Sequence, residues 1–195
     1  MEEETRCGGS HNVAGLAITA ENMKKLGIVI NGRGGVGKDT LCDFAAKVYK
    51  TVNVSSVTPI KKIASENGWK GEKTPEARRF LAELKRVFTE YNDLPNRYCI
   101  SEYCNFLKDP DKQIFFVHIR EGAEIERFKR AAKCFDEAEC VTLLVRSKRC
   151  EGVYGNASDD MVENYEYDYV FQNDGTLAEA EESFITFIAE ILQSL

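Results

Sequence analysis

The chain has 195 residues, which suits one domain with a complete hydrophobic core. Lysine and arginine together number 26 against 32 aspartate and glutamate residues, so the formal net charge is −6. Because proteins bind nucleic-acid polymers largely by neutralising phosphates, this acidic balance argues against general binding of nucleic acid. Seven cysteines without a C-x-x-C pair, and only two histidines, support neither a disulfide framework nor a zinc site.

Targeting signals are not evident in the sequence. No apolar run reaches the roughly 18 residues of a membrane span, and the N-terminus lacks the charged-then-apolar layout of a secretory signal. These features predict a cytoplasmic protein with reduced, mostly structural thiols.

The first 22 residues precede the first predicted strand. Residues 26–32, LGIVING, form a short apolar run that ends in glycine, and Met23 with two lysines stands directly before it. We therefore divide the chain into an N-terminal extension, residues 1–22, and a core domain, residues 23–195. The extension could reflect a mis-assigned start, a regulatory arm or a contact within a homo-oligomer.

Hydrophobic patterning beyond the first strand predicts alternating helices and strands. Further strands are predicted at 52–57, 113–119, 140–145 and 167–174. Helices are predicted at 38–49, at 59–69, from Pro75 onwards, at 96–109, at 121–135 and after Gly175. Two of these helices each carry a predicted apolar face, formed by Phe80, Leu84, Val87, Phe88 and Tyr91 and by Leu177, Phe184, Ile188, Ile191 and Leu192. Alternation of this kind predicts a parallel five-stranded sheet with helices on both faces.

Residues 31–40, NGRGGVGKDT, contain a glycine-rich turn between the first strand and the first helix. The glycines let the backbone turn tightly and direct N–H groups inward, and the helix N-terminus adds partial positive charge. Lys38 could reach the outer phosphates of a nucleotide as a mobile charge. The setting between an apolar strand and an amphipathic helix is the one that a phosphate-binding loop requires. The usual pattern has a hydroxyl directly after the lysine, whereas here Asp39 intervenes before Thr40.

Written as G-x-x-G-x-G-K-x-T, the segment GRGGVGKDT resembles the loop of the adenylate kinase and nucleoside monophosphate kinase superfamily, where threonine also stands two places after lysine. The GKDT variant particularly resembles bacteriophage deoxynucleoside monophosphate kinases, and animal phosphomevalonate kinases have a similar GKD. The resemblance covers the order of elements from about residue 26 to the end. It implies a single three-layer α/β domain of the P-loop kinase type that uses ATP and Mg²⁺.

The resemblance also implies a donor site. Thr40 would contact the inner phosphates, and magnesium would be held largely through water, with Asp39 and Thr40 as its protein partners. Asp39 could instead simply favour the helix N-terminus. Asn173 lies in an NDG segment where the adenine of this superfamily often rests, although an Asn-Asp-Gly turn explains that segment equally well. The implied donor residues are Gly32, Arg33, Gly34, Gly35, Val36, Gly37, Lys38, Asp39, Thr40 and Asn173.

The third strand ends in residues 118–121, HIRE, and such strand ends face the ligand crevice. Phage deoxynucleotide kinases have a similar strand end with an aspartate two places before an arginine. Here His118 replaces the aspartate and Arg120 matches the arginine. Arg120 could clamp an acceptor phosphate, and Glu121 could order a magnesium-bound water or read a base or sugar. A salt pair between Arg120 and Glu121 at the helix start is the alternative.

Two further basic segments resemble parts of these kinases. Residues 73–86 resemble the acceptor-side helix, which makes Arg78, Arg79 and Lys85 candidates, although Arg79 and Glu83 have the spacing of a surface pair. Residues 146–149, RSKR, follow the fourth strand, where the kinases that the chain resembles have a mobile lid that brings arginines onto the transferring phosphoryl group. Arg146 and Arg149 are the lid candidates, and a basic turn is the alternative. At 158–160, SDD is similar to the R-x-D-D of adenylate kinases, but Asn156 replaces its arginine.

These features predict transfer of the ATP γ-phosphoryl group to a small phosphorylated acceptor, foremost a nucleoside or deoxynucleoside monophosphate. The implied catalytic residues are Lys38, Arg120, Arg146 and Arg149. The expected partners are small-molecule nucleotides, with neither polymeric nucleic acid nor membrane. Two alternatives stay open: a kinase of another small phosphorylated metabolite, and a catalytically weak ATP-binding protein. The missing strand-end aspartate and R-x-D-D arginine favour the second alternative.

Overall fold

The computed structural model describes residues 24–135, 137–150 and 162–195. The predicted N-terminal extension, Asn156 and the SDD segment at 158–160 therefore lie outside the described residues. The described residues form five β-strands and six α-helices. None of these helices combines the length and the apolar character that crossing a membrane requires.

The strands are β1 (Lys25–Asn31), β2 (Thr51–Ser55), β3 (Ile114–His118), β4 (Ala138–Arg146) and β5 (Tyr169–Gln172). The α-helices are α1 (Lys38–Val48), α2 (Thr58–Glu66), α3 (Pro75–Asn92), α4 (Leu94–Lys108), α5 (Gly122–Ala132) and α6 (Leu177–Ser194). Short 3₁₀ turns occupy Lys148–Cys150 and Val162–Asn164. Each predicted strand and helix has a counterpart, displaced by a few residues at its ends, so the predicted alternation is confirmed.

The five strands form one parallel sheet in the order β2-β3-β1-β4-β5. Helices α1 and α6 pack on one face, where Phe44 and Phe184 are buried against the strands. Helices α4 and α5 pack on the other face, where Tyr103 and Phe128 are buried. The predicted three-layer α/β architecture with a five-stranded parallel sheet is therefore confirmed.

The topology places a crevice between the carboxyl ends of β1 and β3. These strands are neighbours, with Ile30 paired to His118. The helix after β1 packs on one face of the sheet, and the helix after β3 packs on the other. Ligands of open α/β sheets bind where adjacent strands lead to opposite faces, because the two following loops diverge there. The glycine-rich loop and the HIRE segment both begin at this crevice.

The apolar face predicted for α3 does not belong to the core. Phe80, Val87 and Tyr91 are 46%, 48% and 81% exposed, and no residue of α3 is buried. The reason is that α3 packs against α2 and α4 rather than against the sheet, so the side chains of its apolar face do not enter the core. Leu177 is also exposed, at 71%, because it is the first residue of α6, beyond the segment that covers the sheet.

Candidate functional site

The glycine-rich loop, residues 32–37, is held from both ends by its neighbours. Gly32 has φ +145°, and a Cβ there would lie 2.4 Å from the Val145 carbonyl oxygen. Gly37 has φ +90°, and its Cβ would lie 2.6 Å from Asn173 Nδ2. Both positions therefore require glycine, for conformation and for space. The result is a tight turn that leads directly into the N-terminus of α1, the setting in which backbone amides bind anions.

Lys38 begins α1 and folds back over the loop. Its Nζ donates to the carbonyl oxygens of Gly32, at 2.5 Å, and Arg33, at 2.9 Å. The ammonium group is thus held inside the turn made by the loop. An anion bound to the loop amides would lie next to this positive charge.

Asn31, the last residue of β1, is fully buried at the start of the loop. Its Nδ2 donates to the Arg120 carbonyl oxygen at 3.0 Å and to the Tyr167 hydroxyl oxygen at 2.7 Å. Its Oδ1 accepts from the Gly32 N–H at 2.8 Å. Neither Asn31 nor Tyr167 is among the site residues predicted from the sequence. For Asn31 a signal was present, since a polar amide closes an otherwise apolar strand directly before the first loop glycine.

His118 ends β3 and lies beside the start of α1. Its Nε2 is 2.8 Å from Asn53 Oδ1, and its Nδ1 is 3.9 Å from Asp39 Oδ1. Burial lowers the pKa of His118 to about 4; the Asp39 carboxylate opposes this shift, and the charges of Lys38 and Arg120 add to it. His118 is therefore neutral at pH 7. In place of a strand-end aspartate, the crevice has a neutral imidazole with Asp39 next to it.

We expect the neutral state of His118 to contribute to the pH dependence of folding. The unfolded side chain takes up a proton near pH 6.5, whereas the folded one resists protonation down to about pH 4. The unfolded state thus binds more protons in this window, so the free energy of unfolding falls as pH decreases, by up to about 3 kcal/mol. His118→Gln should lose this component.

The measurement is urea unfolding of wild type and His118→Gln between pH 4 and pH 8 without divalent metal. The difference in unfolding free energy between the two proteins isolates His118 from the carboxylates that titrate in the same range. A difference that stays constant across this range would contradict a buried, neutral His118.

The acceptor candidates at the β3–α5 connection have different surroundings. The Arg120 carbonyl oxygen accepts a hydrogen bond from Asn31, and the positive charge of Arg120 lowers the pKa of His118.

Lys85 forms two ion pairs at the start of α5. Its Nζ lies 2.6 Å from Glu121 Oε2 and 2.9 Å from Glu124 Oε2. Burial alone would lower the pKa of Lys85, but the two carboxylates raise it above its ordinary value. Burial alone would raise the pKa of Glu121, but Lys85 lowers it. These ion pairs join α3 to α5, and acceptor contacts of Lys85 and Glu121 stay predictions.

The other acceptor candidates, Arg78 and Arg79, are exposed near the start of α3. The sequence spacing suggested a surface pair between Arg79 and Glu83, but Glu83 has a different partner. Glu83 pairs with Arg86 at 3.1 Å, and Arg86 also pairs with Glu90 at 2.9 Å. An acceptor role for Arg78 and Arg79 stays a prediction.

The side chains of the two lid candidates have different partners. Arg146 ends β4, and its guanidinium donates through Nε, at 2.9 Å, and Nη2 to Glu163 Oε2. Arg149 donates from Nη2 to the Asn173 carbonyl oxygen at 3.1 Å. Arg146 is thus joined to the turn at Val162–Asn164, while Arg149 lies at the β5–α6 connection. Contact of either side chain with a transferring phosphoryl group stays a prediction.

A cavity of about 220 Å³ opens beside the loop, between α1 and the β5–α6 connection. Thr40 and Phe44 line one side, Asn173 and Leu177 line the other, and Arg149 borders it. Asn173 is 7% exposed, and its Nδ2 donates to the Val36 carbonyl oxygen at 2.8 Å. Asn173 therefore both supports the loop and forms part of the cavity wall. Mixed apolar and polar walls of this kind suit a flat heteroaromatic group.

Asp39 and Thr40 are exposed at the first turn of α1, with the Asp39 side chain 93% accessible. Carboxylate and hydroxyl oxygens are the hard ligands that Mg²⁺ prefers. Among the described residues, no group of three or more histidine, cysteine, aspartate or glutamate side chains could enclose a metal ion. Mg²⁺ would depend on water and phosphate oxygens for most of its shell, as it commonly does. The residues present fit such water-mediated binding with a nucleotide.

Comparison with known proteins is informative for the fold. The chain matches no protein-family model and no curated protein. A protein from Chloroflexus aurantiacus J-10-fl that is assigned as a kinase aligns over 88% of this chain and 97% of its own, with 13% identity and a TM-score of 0.51. A gluconokinase from Sinorhizobium meliloti 1021 aligns over 88% of this chain and 95% of its own, with 11% identity and a TM-score of 0.47. At 13% identity the likeness to the Chloroflexus protein concerns the fold alone, and that fold is a three-layer α/β arrangement with a five-stranded parallel sheet.

Proposed function

We propose that this protein transfers the γ-phosphoryl group of ATP to a small phosphorylated acceptor, foremost a nucleoside or deoxynucleoside monophosphate. The observation that carries the proposal is the glycine-rich loop, with Lys38 at the N-terminus of α1, at the crevice between β1 and β3. Loop amides, a helix N-terminus and an ammonium group converge there, and all three favour a polyphosphate anion.

The donor would bind across the loop. Its base would occupy the cavity between α1 and the β5–α6 connection, bordered by Arg149 and Asn173. Its outer phosphates would then extend over the loop towards the β1–β3 crevice. Lys38 would exchange the carbonyl oxygens of Gly32 and Arg33 for phosphate oxygens, since an anion is the stronger partner for an ammonium group.

The acceptor would approach from the β3 side of the crevice. Arg120 would bind its phosphate, because a guanidinium matches phosphate oxygens with two parallel hydrogen bonds. The attacking atom would be a phosphate oxygen, which is already ionised near neutral pH since the second phosphate pKa is about 6. No protein carboxylate is then needed as a general base, which accords with neutral His118 at the strand end.

Catalysis would consist of positioning and charge stabilisation. Phosphoryl transfer asks little covalent chemistry of the protein, because charge spreads over the oxygens of a loose transition state. Lys38 and the loop amides would stabilise the donor side, and Arg120 the acceptor side. Mg²⁺, when bound near Asp39 and Thr40, supplies further neutralisation of the β- and γ-phosphate oxygens.

A catalytically weak ATP-binding protein is the second candidate. It is favoured by His118 at the position of a strand-end aspartate and by the bond that joins Arg146 to Glu163. A third candidate is a kinase of another small phosphorylated metabolite, because the described residues define an acceptor phosphate site more clearly than an acceptor base site.

A coupled ADP-release assay separates these candidates. ATP and Mg²⁺ would be supplied with ribo- and deoxynucleoside monophosphates, with phosphorylated isoprenoid precursors, and without acceptor. Turnover with one nucleotide class supports the proposal, and turnover only with the isoprenoid phosphates supports the metabolite kinase. ATP binding by calorimetry without turnover on the panel supports the weak binding protein. Absence of ATP binding would reject all three.

A further inference from the structure

We propose that Asn31 and Tyr167 form a positioning pair, which holds the phosphate-binding loop in fixed register with Arg120. The inference rests on the proposed function, because it assigns the donor phosphates to the loop and the acceptor phosphate to Arg120. Neither side chain touches a substrate in this scheme. Their role is to set the relative position of the groups that do.

The Asn31 amide is bonded through each of its polar atoms. Both Nδ2 hydrogens are used, on the Arg120 carbonyl and the Tyr167 hydroxyl, and Oδ1 takes the Gly32 N–H. The orientation of the amide is fixed by chemistry, because the Arg120 carbonyl can only accept and the Gly32 N–H can only donate. One buried side chain therefore connects the first loop residue to the residue proposed to bind the acceptor.

The connection extends to Lys38 through the same glycine. The N–H of Gly32 is held by Asn31, while its carbonyl oxygen accepts from Lys38 Nζ. A shift of the Asn31 amide would move this peptide and the carbonyl oxygen on which Lys38 rests. Asn31 is 0% exposed, so no solvent water can replace a bond that is lost.

Tyr167 continues the connection from Asn31 to the backbone of Val162. Its hydroxyl accepts from Asn31 and donates to the Val162 carbonyl oxygen at 3.0 Å. Burial raises the pKa of Tyr167 to about 12, so the hydroxyl keeps its hydrogen at neutral pH. Val162 is itself 0% exposed, so this bond is shielded from solvent. The ring of Tyr167 packs edge-on against Tyr165, with centroids 4.9 Å apart.

Tyr165 offers a matched control. Its hydroxyl binds Glu126 on α5, away from the Asn31 amide. Tyr165→Phe and Tyr167→Phe therefore remove the same atom from two adjoining rings, but only Tyr167→Phe removes the partner of Asn31. The ring packing is retained in both variants.

We expect Tyr167→Phe to lower kcat roughly tenfold, since small misplacement of reacting groups has large kinetic effects. KM for ATP and for the acceptor should stay near the wild-type values, because the groups that contact substrate are intact. Tyr165→Phe should keep the wild-type kcat. An equal fall of kcat in both variants, or a fall only in thermal stability, would overturn the pairing.

A double-mutant cycle tests whether the two residues act as a unit. In an Asn31→Ala background, Tyr167→Phe should have little further effect on kcat, because the connection is already broken. Full additivity would overturn the pairing. If Asn31→Ala does not fold, the comparison of Tyr167→Phe with Tyr165→Phe still decides the matter.

Hydrogen exchange separates this inference from the proposed function. In the free protein, Tyr167→Phe should speed exchange of the amides at residues 32 and 119–121, and Tyr165→Phe should not. If the wild type transfers no phosphoryl group to any acceptor, the proposed function fails, and this exchange pattern alone then supports or overturns the pairing. Identical exchange in wild type and Tyr167→Phe would overturn it even in an active enzyme.

Discussion

Lys38→Ala is expected to abolish phosphoryl transfer while the fold stays intact. The substitution removes the ammonium group that lies inside the turn made by the loop. Loss of such charge stabilisation raises the free energy of the transition state by several kcal/mol. Alanine is a good helix former, so α1 should still begin at this residue. The measurements are ADP release under saturating ATP, circular dichroism and a thermal melt.

Lys47→Ala is the matched control for Lys38→Ala. Lys47 lies on the same helix, where its Nζ pairs with Glu181 at 2.7 Å and its side chain is 56% exposed. An exposed pair of this kind contributes up to about 1 kcal/mol, so the variant should fold and turn over normally. Normal turnover by Lys38→Ala would reject the phosphotransferase proposal. Loss of turnover by Lys47→Ala as well would show that the assay reports stability rather than chemistry.

Arg120→Ala is expected to reduce kcat/KM for the acceptor by roughly ten- to a hundredfold. Loss of a charge-assisted, two-point contact with phosphate corresponds to about 1.5–3 kcal/mol, and each 1.4 kcal/mol or so is one decade. ATP affinity should barely change, because the proposed site of the donor phosphates is the loop and not Arg120. Steady-state kinetics with varied acceptor, and calorimetric titration with ATP alone, measure the two effects separately.

Arg120→Lys should restore only part of the lost acceptor efficiency, because an ammonium group cannot reproduce the planar fork of a guanidinium. Arg130→Ala is the control, since Arg130 is exposed on the neighbouring helix α5. Equal losses of ATP affinity and acceptor efficiency in Arg120→Ala would contradict the acceptor assignment. The same would follow from unchanged acceptor kinetics.

The glycine-rich loop could be predicted from the sequence because its determinants are local. Gly32 and Gly37 need their glycines for backbone conformation, and Lys38 is the first residue of the helix that follows. The alternation of strands and helices was also predictable, since apolar periodicity is a property of short segments. Such periodicity does not say what a helix packs against, and α3 shows the consequence: it has an apolar face but lies on α2 and α4, so Tyr91 is 81% exposed.

The surroundings of the predicted site residues were decided by tertiary structure. Lys85 and Glu121 are 36 positions apart in the sequence, and the fold brings their side chains to 2.6 Å. Arg146 and Arg149 are close in sequence, but one is bonded to Glu163 and the other to the Asn173 carbonyl. Sequence spacing cannot distinguish such partners, because each partner is supplied by another element.

The sequence by itself determined a glycine-rich loop with Lys38 at a helix start, and an alternating pattern that implies a parallel sheet. Tertiary structure alone decided that β1 lies between β3 and β4, and therefore that the loop and the residues after β3 share one crevice. It also brought Tyr167 to Asn31, 136 positions away along the chain. The physical reason is that backbone conformation and amphipathicity are encoded in short segments, whereas a buried polar group takes whichever partner the completed fold supplies.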